Sequence, residues 1–251
     1  MKKIAIITGA AGGIGTAISE KLISALDGLV LIDIDANKLT SLENNIKALT
    51  SIPVMSFCCD VGNSELVNET VVATKNEMGI PTILINNAAI GGPFHKVNEV
   101  SDAEWYQIIN TNLKSVFNFS KILLPMMKKI SYGRFVNIAS IQGYLGATLS
   151  STYTVSKHGV IGYTRAIATE WGEHGITCNA ICPGYVDTEL GVQDNKRKNH
   201  AINIITKTPA GRIAKPMEIA NLVAYLTRDE ASFINGSILT IDGGLTCHTG
   251  V

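Results

Sequence analysis

Residues 3–15 read K-I-A-I-I-T-G-A-A-G-G-I-G. A short apolar run gives way to a glycine-rich turn in which Gly9, Gly13 and Gly15 are spaced G-x-x-x-G-x-G, and a helical period follows over 16–26. Four apolar residues are too few for the core of a signal peptide, so the segment reads as a first β-strand, a turn and a helix. That arrangement can cradle a pyrophosphate. Glycines allow a tight turn and close approach, and the helix N-terminus offers unpaired N–H groups and a positive dipole end. The spacing departs from the strict G-x-G-x-x-G form, and a glycine turn alone is a weak signal.

The rest of the chain repeats the alternation. Apolar runs at L-V-L-I-D (29–33), V-M-S-F-C (54–58), T-I-L-I-N (82–86), R-F-V-N-I (134–138), I-T-C-N-A-I (176–181) and S-I-L-T-I (237–241) are separated by helical segments at 37–49, 64–78, 102–128, 153–172 and 216–227. Parallel neighbours need crossover helices, so this rhythm predicts an α/β fold: a doubly wound, mostly parallel Rossmann-type sheet with helices on both faces. Nothing marks a boundary, a repeat or a linker, and 1–251 is read as one domain. Ser64 with Glu65, and Pro216 with Glu218, signal helix starts. The stretch 187–210 breaks the rhythm. It is polar, lacks a strand pattern and follows a Pro183-Gly184 turn at the end of a strand, where open α/β sheets keep their ligands; a substrate lid is expected there.

Composition narrows the partners. With 46% hydrophobic residues, 251 residues can bury a sizeable core. The 21 basic and 21 acidic residues are well mixed and give zero formal charge. No basic stripe argues for nucleic acid, and a small molecule is the expected partner. No apolar run approaches the roughly 18 residues needed to span a bilayer. Five cysteines (Cys58, Cys59, Cys178, Cys182, Cys247) lack a framework spacing, which fits free thiols in a reducing cytoplasm. His174, Cys178 and Cys182 are spaced by fours, but in I-T-C-N-A-I-C the two cysteines share one face of a strand, so packing thiols are expected and no metal.

Two further signals carry chemistry. Asp33 ends the second strand, 18 residues beyond Gly15, where a carboxylate can accept both ribose hydroxyls of an adenosine. A 2′-phosphate would meet a like charge there, and neither the turn nor I-D-I-D-A-N (32–37) holds an arginine to compensate; Lys38 is the nearest basic residue. NAD is therefore expected over NADP. In S-S-T-Y-T-V-S-K (150–157), Tyr153 and Lys157 are four apart, on one face of a helix that opens there. Tyrosine titrates near 10, but a nearby cation can favour the phenolate by about 1 to 3 pKa units, towards what a base needs near neutrality.

T-G-A-A-G-G-I-G (8–15), D-V (60–61), N-N-A-A (86–89), N-I-A-S ending at Ser140, Y-T-V-S-K (153–157), P-G-Y-V-D-T (183–188) and I-D-G-G (241–244) occur in the order and spacing of a classical short-chain dehydrogenase/reductase. The chain resembles that family over nearly its whole length. The resemblance implies a single Rossmann-type domain, a nicotinamide cofactor and a homotetramer or homodimer. It makes Tyr153 the acid/base, Lys157 its modulator, Ser140 the holder of the substrate oxygen and Asn112 the link to a proton-relay water. The cofactor residues it implies are Gly9, Gly13, Ile14, Gly15, Asp33, Asp60, Val61, Asn87, Ala88, Tyr153, Lys157, Pro183, Gly184, Val186 and Thr188, with Asn86 more structural.

The family pattern reads N-N-A-G where this chain has Ala89. If that position needs a positive φ, alanine costs about 1 kcal/mol against glycine, unless Gly91 and Gly92 absorb the turn. Phe94, His95, Gln142, Tyr144, Tyr185 and the lid surround the implied site and suggest a polar, hydroxylated substrate. N-K-R-K-N-H (195–200), beside Asp194, is a solvated face or an attraction for an anionic group, to be tested by charge reversal at Lys196, Arg197 and Lys198. The expected activity is an NAD-dependent hydride transfer between nicotinamide and a secondary alcohol or ketone. A 3-oxoacyl-thioester reductase and a non-catalytic NAD-binding module are the alternatives.

Overall fold

The computed structural model describes residues 1–188 and 205–247. In chain order the strands and main helices are β1 (Ile4–Thr8), α1 (Gly13–Leu22), β2 (Gly28–Asp33), α2 (Ala36–Leu49), β3 (Val54–Cys58), α3 (Ser64–Glu77), β4 (Ile83–Asn86), α4 (Asp102–Ile109), α5 (Ser115–Lys129), β5 (Gly133–Ile138), α6 (Ser151–Trp171), β6 (Ile176–Pro183), α7 (Pro216–Leu226) and β7 (Ile238–Ile241). The strands form one sheet in the order β3-β2-β1-β4-β5-β6-β7, every pair parallel. From β1 the chain crosses to β2 on one side, and from β4 to β5 on the other. A crevice therefore opens at the carboxyl ends of β1 and β4, the topological switch point.

The central strands are mostly apolar because both of their faces are covered. On β1, Ala5 and Ile7 pack into one cluster with Ile18 and Leu22 of α1 and Ile219 and Val223 of α7. Ile4 and Ile6 face the opposite cluster, with Phe119, Leu123 and Phe135. Side chains alternate along a strand, so a doubly covered strand has no polar register. Phe119 is fully buried, and its truncation to alanine would cost about 3–5 kcal/mol.

All seven expected strands are present. The helical segment read over 102–128 is not one α-helix: Asn110–Lys114 is a π-turn between α4 and α5, in which the Ser115 N–H reaches back to the Asn110 carbonyl. Helical periodicity is blind to one extra residue in a single turn. Pro216 opens α7 as expected, and Ser64 opens α3, whose cap is Asn63: its side chain accepts from the Glu65 and Leu66 N–H groups. Cys178 and Cys182 are both buried in β6, while His174 sits before that strand with its ring 5.9 Å from that of Trp171. No helix among the described residues is long and apolar enough to cross a membrane. Most of the expected lid, with the 195–200 cluster and Asp194, lies outside the described residues. Before that stretch the chain runs from the Pro183-Gly184 turn to Thr188; after it, 205–207 form one helical turn.

Candidate active site

The glycine turn lies at the switch point and is shaped by close backbone approach. Gly9 has φ +60°, and a Cβ there would come within 2.7 Å of the Ala88 Cα. At Gly15 a Cβ would collide with the Gly9 carbonyl, and at Gly13 it would sit 2.9 Å from the Thr188 methyl. Gly12 caps α1 without any side-chain bond, so the first N–H groups of α1, from Gly13 through Ile14 to Gly15, face the turn with no capping side chain. A cradle free of side chains at a positive helix end fits a diphosphate. Asp33 closes the far side. Its Oδ2 accepts from the Ala11 N–H at 2.9 Å and its Oδ1 from the Asp35 N–H at 3.1 Å, so the carboxylate braces the turn.

The end of β4 is locked onto the same turn. Thr8 Oγ1 accepts from the Asn87 and Ala88 N–H groups at 3.0 and 3.1 Å, and Asn87 Nδ2 donates to the Thr8 and Gly9 carbonyls. Asn87 thus holds the cradle's shape. Asn86 is buried and donates to Asn137 Oδ1 at 2.7 Å; Asn137 in turn donates to Thr164 Oγ1 of α6 at 2.9 Å. This polar chain ties β4 and β5 to α6. Ala89 does not have a positive φ, and neither do Gly91 and Gly92; the left-handed residue of this loop is Phe94, at φ 58°. The expected strain at Ala89 is absent because the turn is made five residues later.

Tyr153 and Lys157 stand in the first two turns of α6, and Ser140 just past β5. Ser140 Oγ accepts from the Gln142 N–H at 3.1 Å, which leaves its own hydroxyl proton free to donate, and its side chain is close enough to Tyr153 to favour the phenolate. Lys157 is buried; its Nζ donates to the Ile138 carbonyl at 2.8 Å and lies 5.5 Å from the centre of the Tyr153 ring. Asn112 projects from the π-turn, buried, with its Oδ1 accepting from the Ile90 N–H at 2.8 Å and its Nδ2 donating to the Ile90 carbonyl and to Ser156 Oγ. The four expected catalytic residues therefore occupy one neighbourhood, joined through β5, the loop after β4 and α6.

The electrostatics differ from the expectation of a lowered phenol. Burial pushes Tyr153 up to about 12, against a smaller lowering by its Ser140 hydrogen bond, and Cys182 adds to the rise. Burial likewise pushes the Lys157 ammonium down to about 8. Desolvation dominates because Lys157, though over the ring, stays 5.5 Å from its centre and spends a donor on the Ile138 carbonyl. Cys182, expected as a packing thiol, is also a neighbour of the site: wholly buried in β6, it is pushed up to about 11 by burial, against a smaller lowering by the Ser140 backbone.

The other expected cofactor residues line the same edge. Asp60 is exposed and accepts from the Gly62 N–H, and Val61 is buried with its carbonyl bonded to Asn118 Nδ2. A polar cleft of about 600 Å³ opens beside Asp60, bordered by Ser64, Gln107 and Lys114, and none of Ser140, Tyr153 and Lys157 lines it. Pro183 ends β6, the Gly184 N–H donates to the Ile241 carbonyl, and Val186 bridges Ala214. Thr188 then lies over Gly13, bringing the two ends of the crevice together.

Among the expected substrate residues, Tyr144 is committed elsewhere, its phenol bonded to Thr240 and Thr246 at 2.9 and 3.4 Å. His95 turns towards Glu104 at 3.5 Å. Tyr185 is partly exposed at the Pro-Gly turn. Gln142 bridges to α6, accepting from Ser150 and Thr154.

The sequence family described as enoyl-(acyl carrier protein) reductase matches residues 9–246. The chain is 38% identical to an acetoacetyl-CoA reductase of Shinella zoogloeoides over 246 residues, 97% of this chain and 98% of the relative. It is 36% identical to the 3-oxoacyl-[acyl-carrier-protein] reductase of Escherichia coli over 251 residues, 97% of each. An actinorhodin polyketide ketoreductase crystallised with NADPH superposes with a TM-score of 0.93 at 30% identity, covering 98% of both chains.

Proposed function

The chain belongs to the short-chain dehydrogenase/reductase family of oxidoreductases, which use nicotinamide cofactors, and we propose that it transfers a hydride between NAD and a small secondary alcohol or ketone. The observation that carries the reading is the meeting of Ser140, Tyr153 and Lys157 past the end of β5, on the same carboxyl edge of the parallel sheet from which the glycine turn leaves β1. The nicotinamide, when bound, accepts or supplies the hydride. Gly9, Gly13, Ile14 and Gly15 would hold the diphosphate, Asp33 the ribose hydroxyls, Asp60 and Val61 the adenine side, and Pro183, Gly184, Val186 and Thr188 the nicotinamide end.

In the reducing direction Tyr153 gives its proton to the carbonyl oxygen. A phenol near 12 is fully protonated at neutral pH, the state that donor needs. Ser140, its acceptor role taken by the Gln142 N–H, donates to the same oxygen as charge develops there. For alcohol oxidation the phenolate must form, and the positive charge of an oxidised nicotinamide then supplements Lys157. Asn112 keeps the loop after β4 in register with α6 and would be the link to a relay water.

A second reading, a 3-oxoacyl-thioester reductase, is favoured by the names of the relatives at 36–38% identity. The NADPH in the ketoreductase neighbour counts on the side of NADP, and Asp33 counts against it. A homotetramer or homodimer belongs to the proposal too, supported by an apolar groove of about 550 Å³ between Leu113 and Phe117 of the π-turn and α5 and Gly159 and Gly162 of α6; sedimentation at the mass of one chain would remove it.

The test follows reduced-nicotinamide absorbance with NAD or NADP across secondary alcohols, polyols, hydroxy acids and 3-oxothioesters, comparing wild type with Tyr153→Phe. Turnover is expected to fall by at least about 100-fold in the variant. Turnover that survives the substitution would end the assignment of Tyr153, and none with any substrate would leave a dinucleotide-binding protein without this chemistry.

A further inference from the structure

Arg212 and Glu218 form a bidentate ion pair, Nη1 to Oε2 at 2.7 Å and Nη2 to Oε1 at 2.8 Å. Glu218 is the third residue of α7, and its Oε2 also accepts from the Lys215 N–H at 2.8 Å. One carboxylate thus fastens the guanidinium to the start of the helix. The guanidinium holds that carboxyl down to about 2, so the pair is charged at any ordinary pH. Between the fastened points, Ile213 and Ala214 form a short strap. The Ala214 N–H donates to the Tyr185 carbonyl and the Ala214 carbonyl accepts from the Asp187 N–H, both at 2.9 Å, which makes a one-residue parallel bridge to Val186. Val186 packs against the cluster that joins Ile18 and Leu22 of α1 to Ile219 and Val223 of α7. Two residues on, Thr188 lies over Gly13, the first residue of α1. The contacts close a ring: the glycine cradle leads to α1, α1 to α7, α7 through Glu218 and Arg212 to the strap, the strap to 185–187, and Thr188 back to the cradle.

We propose that Arg212 is a positioning residue: through Glu218 and the Ala214 strap it sets residues 185–188 against the glycine cradle, and so fixes the nicotinamide half of a bound dinucleotide while leaving the adenosine half untouched. The inference rests on the hydride-transfer reading above, in which Val186 and Thr188 hold the nicotinamide end. An exposed ion pair adds little to stability. What the fork supplies is orientation, because two parallel bonds fix direction as well as distance, and a lysine ammonium cannot copy them. Hydride transfer needs that placement, since an error of about 1 Å at the reacting atoms costs roughly 100-fold in rate.

The test is calorimetric titration of NADH, NADPH and ADP into wild type, Arg212→Met, Arg212→Lys and Glu218→Gln, with Tm recorded for each protein. Glutamine keeps an oxygen for the Lys215 N–H and gives up the ion pair. ADP carries the adenosine and diphosphate without the nicotinamide half. For the dinucleotide that wild type binds more tightly, the ratio of its Kd to that of ADP is expected to rise about ten-fold in Arg212→Met and Glu218→Gln, and by less in Arg212→Lys. Tm is expected to fall by no more than about 4 °C. Kd values that rise together, leaving the ratio unchanged, would make the pair a staple of α7 and overturn the positioning role, as would Kd values that do not move. Either result leaves the hydride-transfer reading intact, whereas wild type that binds neither dinucleotide would overturn both.

Discussion

At the scale of single residues, the site is governed by what burial does to charge. Lys157 falls from its ordinary 10.5 to about 8, a shift worth roughly 3 kcal/mol of the ammonium's desolvation, offset by about 1 kcal/mol for its bond to the Ile138 carbonyl. The folded protein binds this proton less tightly than the unfolded chain. Below about pH 8 both are protonated and the whole cost is present; between about 8 and 10.5 the unfolded chain holds more protons, so stability rises with pH. Tyr153, raised from 10 to about 12, acts in the opposite sense above pH 10. Lys157→Met is thus expected to abolish turnover yet unfold at pH 7 with a ΔG about 1–2 kcal/mol higher than wild type, and to lose the rise between pH 8 and 10. Urea titrations at pH 7, 8, 9 and 10 check this; a less stable variant that keeps the slope would mean that another group titrates there.

At the scale of elements, what the sequence revealed and what it hid have separable causes. The central strands could be read because they are buried on both faces and so are rich in Ile, Val and Leu, and the edge strands β3 and β7, only partly buried, because they keep the rhythm of short apolar runs between helices. Gly9 and Asp33 could be singled out because they sit at fixed points of the strand–turn–helix pattern, and Tyr153 and Lys157 because they share a helix face four residues apart, whereas Ser140 is implied only by the resemblance to the family. The π-turn at Asn110–Lys114 could not, since one added residue leaves the apolar stripe on either side intact. Nor could the side-chain contacts that tie the elements together, such as Thr8 to Asn87 or Asn137 to Thr164, because they join segments that are neighbours only in the folded protein: β1 with the end of β4, and β5 with α6. The π-turn matters because it turns Asn112 inward onto both polar groups of Ile90. Asn112→Ala would leave that N–H and carbonyl without their partner in a half-buried loop, at about 2–3 kcal/mol. Differential scanning calorimetry should register a Tm lower by roughly 5–10 °C, with activity falling further than stability. An unchanged Tm would mean that the loop after β4 holds its shape without the asparagine.

At the scale of the whole molecule, the crevice divides the sheet into two halves that one extended ligand would touch together. Gly9, Asp33 and Asp60 come from the β1–β3 side, whereas Ser140, Tyr153 and Gly184 come from the β5–β6 side, and Thr188 meets Gly13 across the gap. A dinucleotide spanning both would stabilise the native state alone, by about 2.7 kcal/mol at 100 times its Kd. For a domain of this size that corresponds to a Tm raised by roughly 5–10 °C. NAD is expected to give the larger shift, because a 2′-phosphate would be set against Asp33, whose two oxygens are already fixed by the Ala11 and Asp35 N–H groups and cannot swing away without loosening the glycine turn. Asp33→Asn removes the charge while keeping an oxygen for the brace, so thermal shifts for the two dinucleotides should converge in that variant. A larger shift with NADP in the wild type would reverse the cofactor preference and move the balance towards the thioester-reducing reading; equal shifts in both proteins would show that Asp33 braces the turn and takes no part in choosing the ligand.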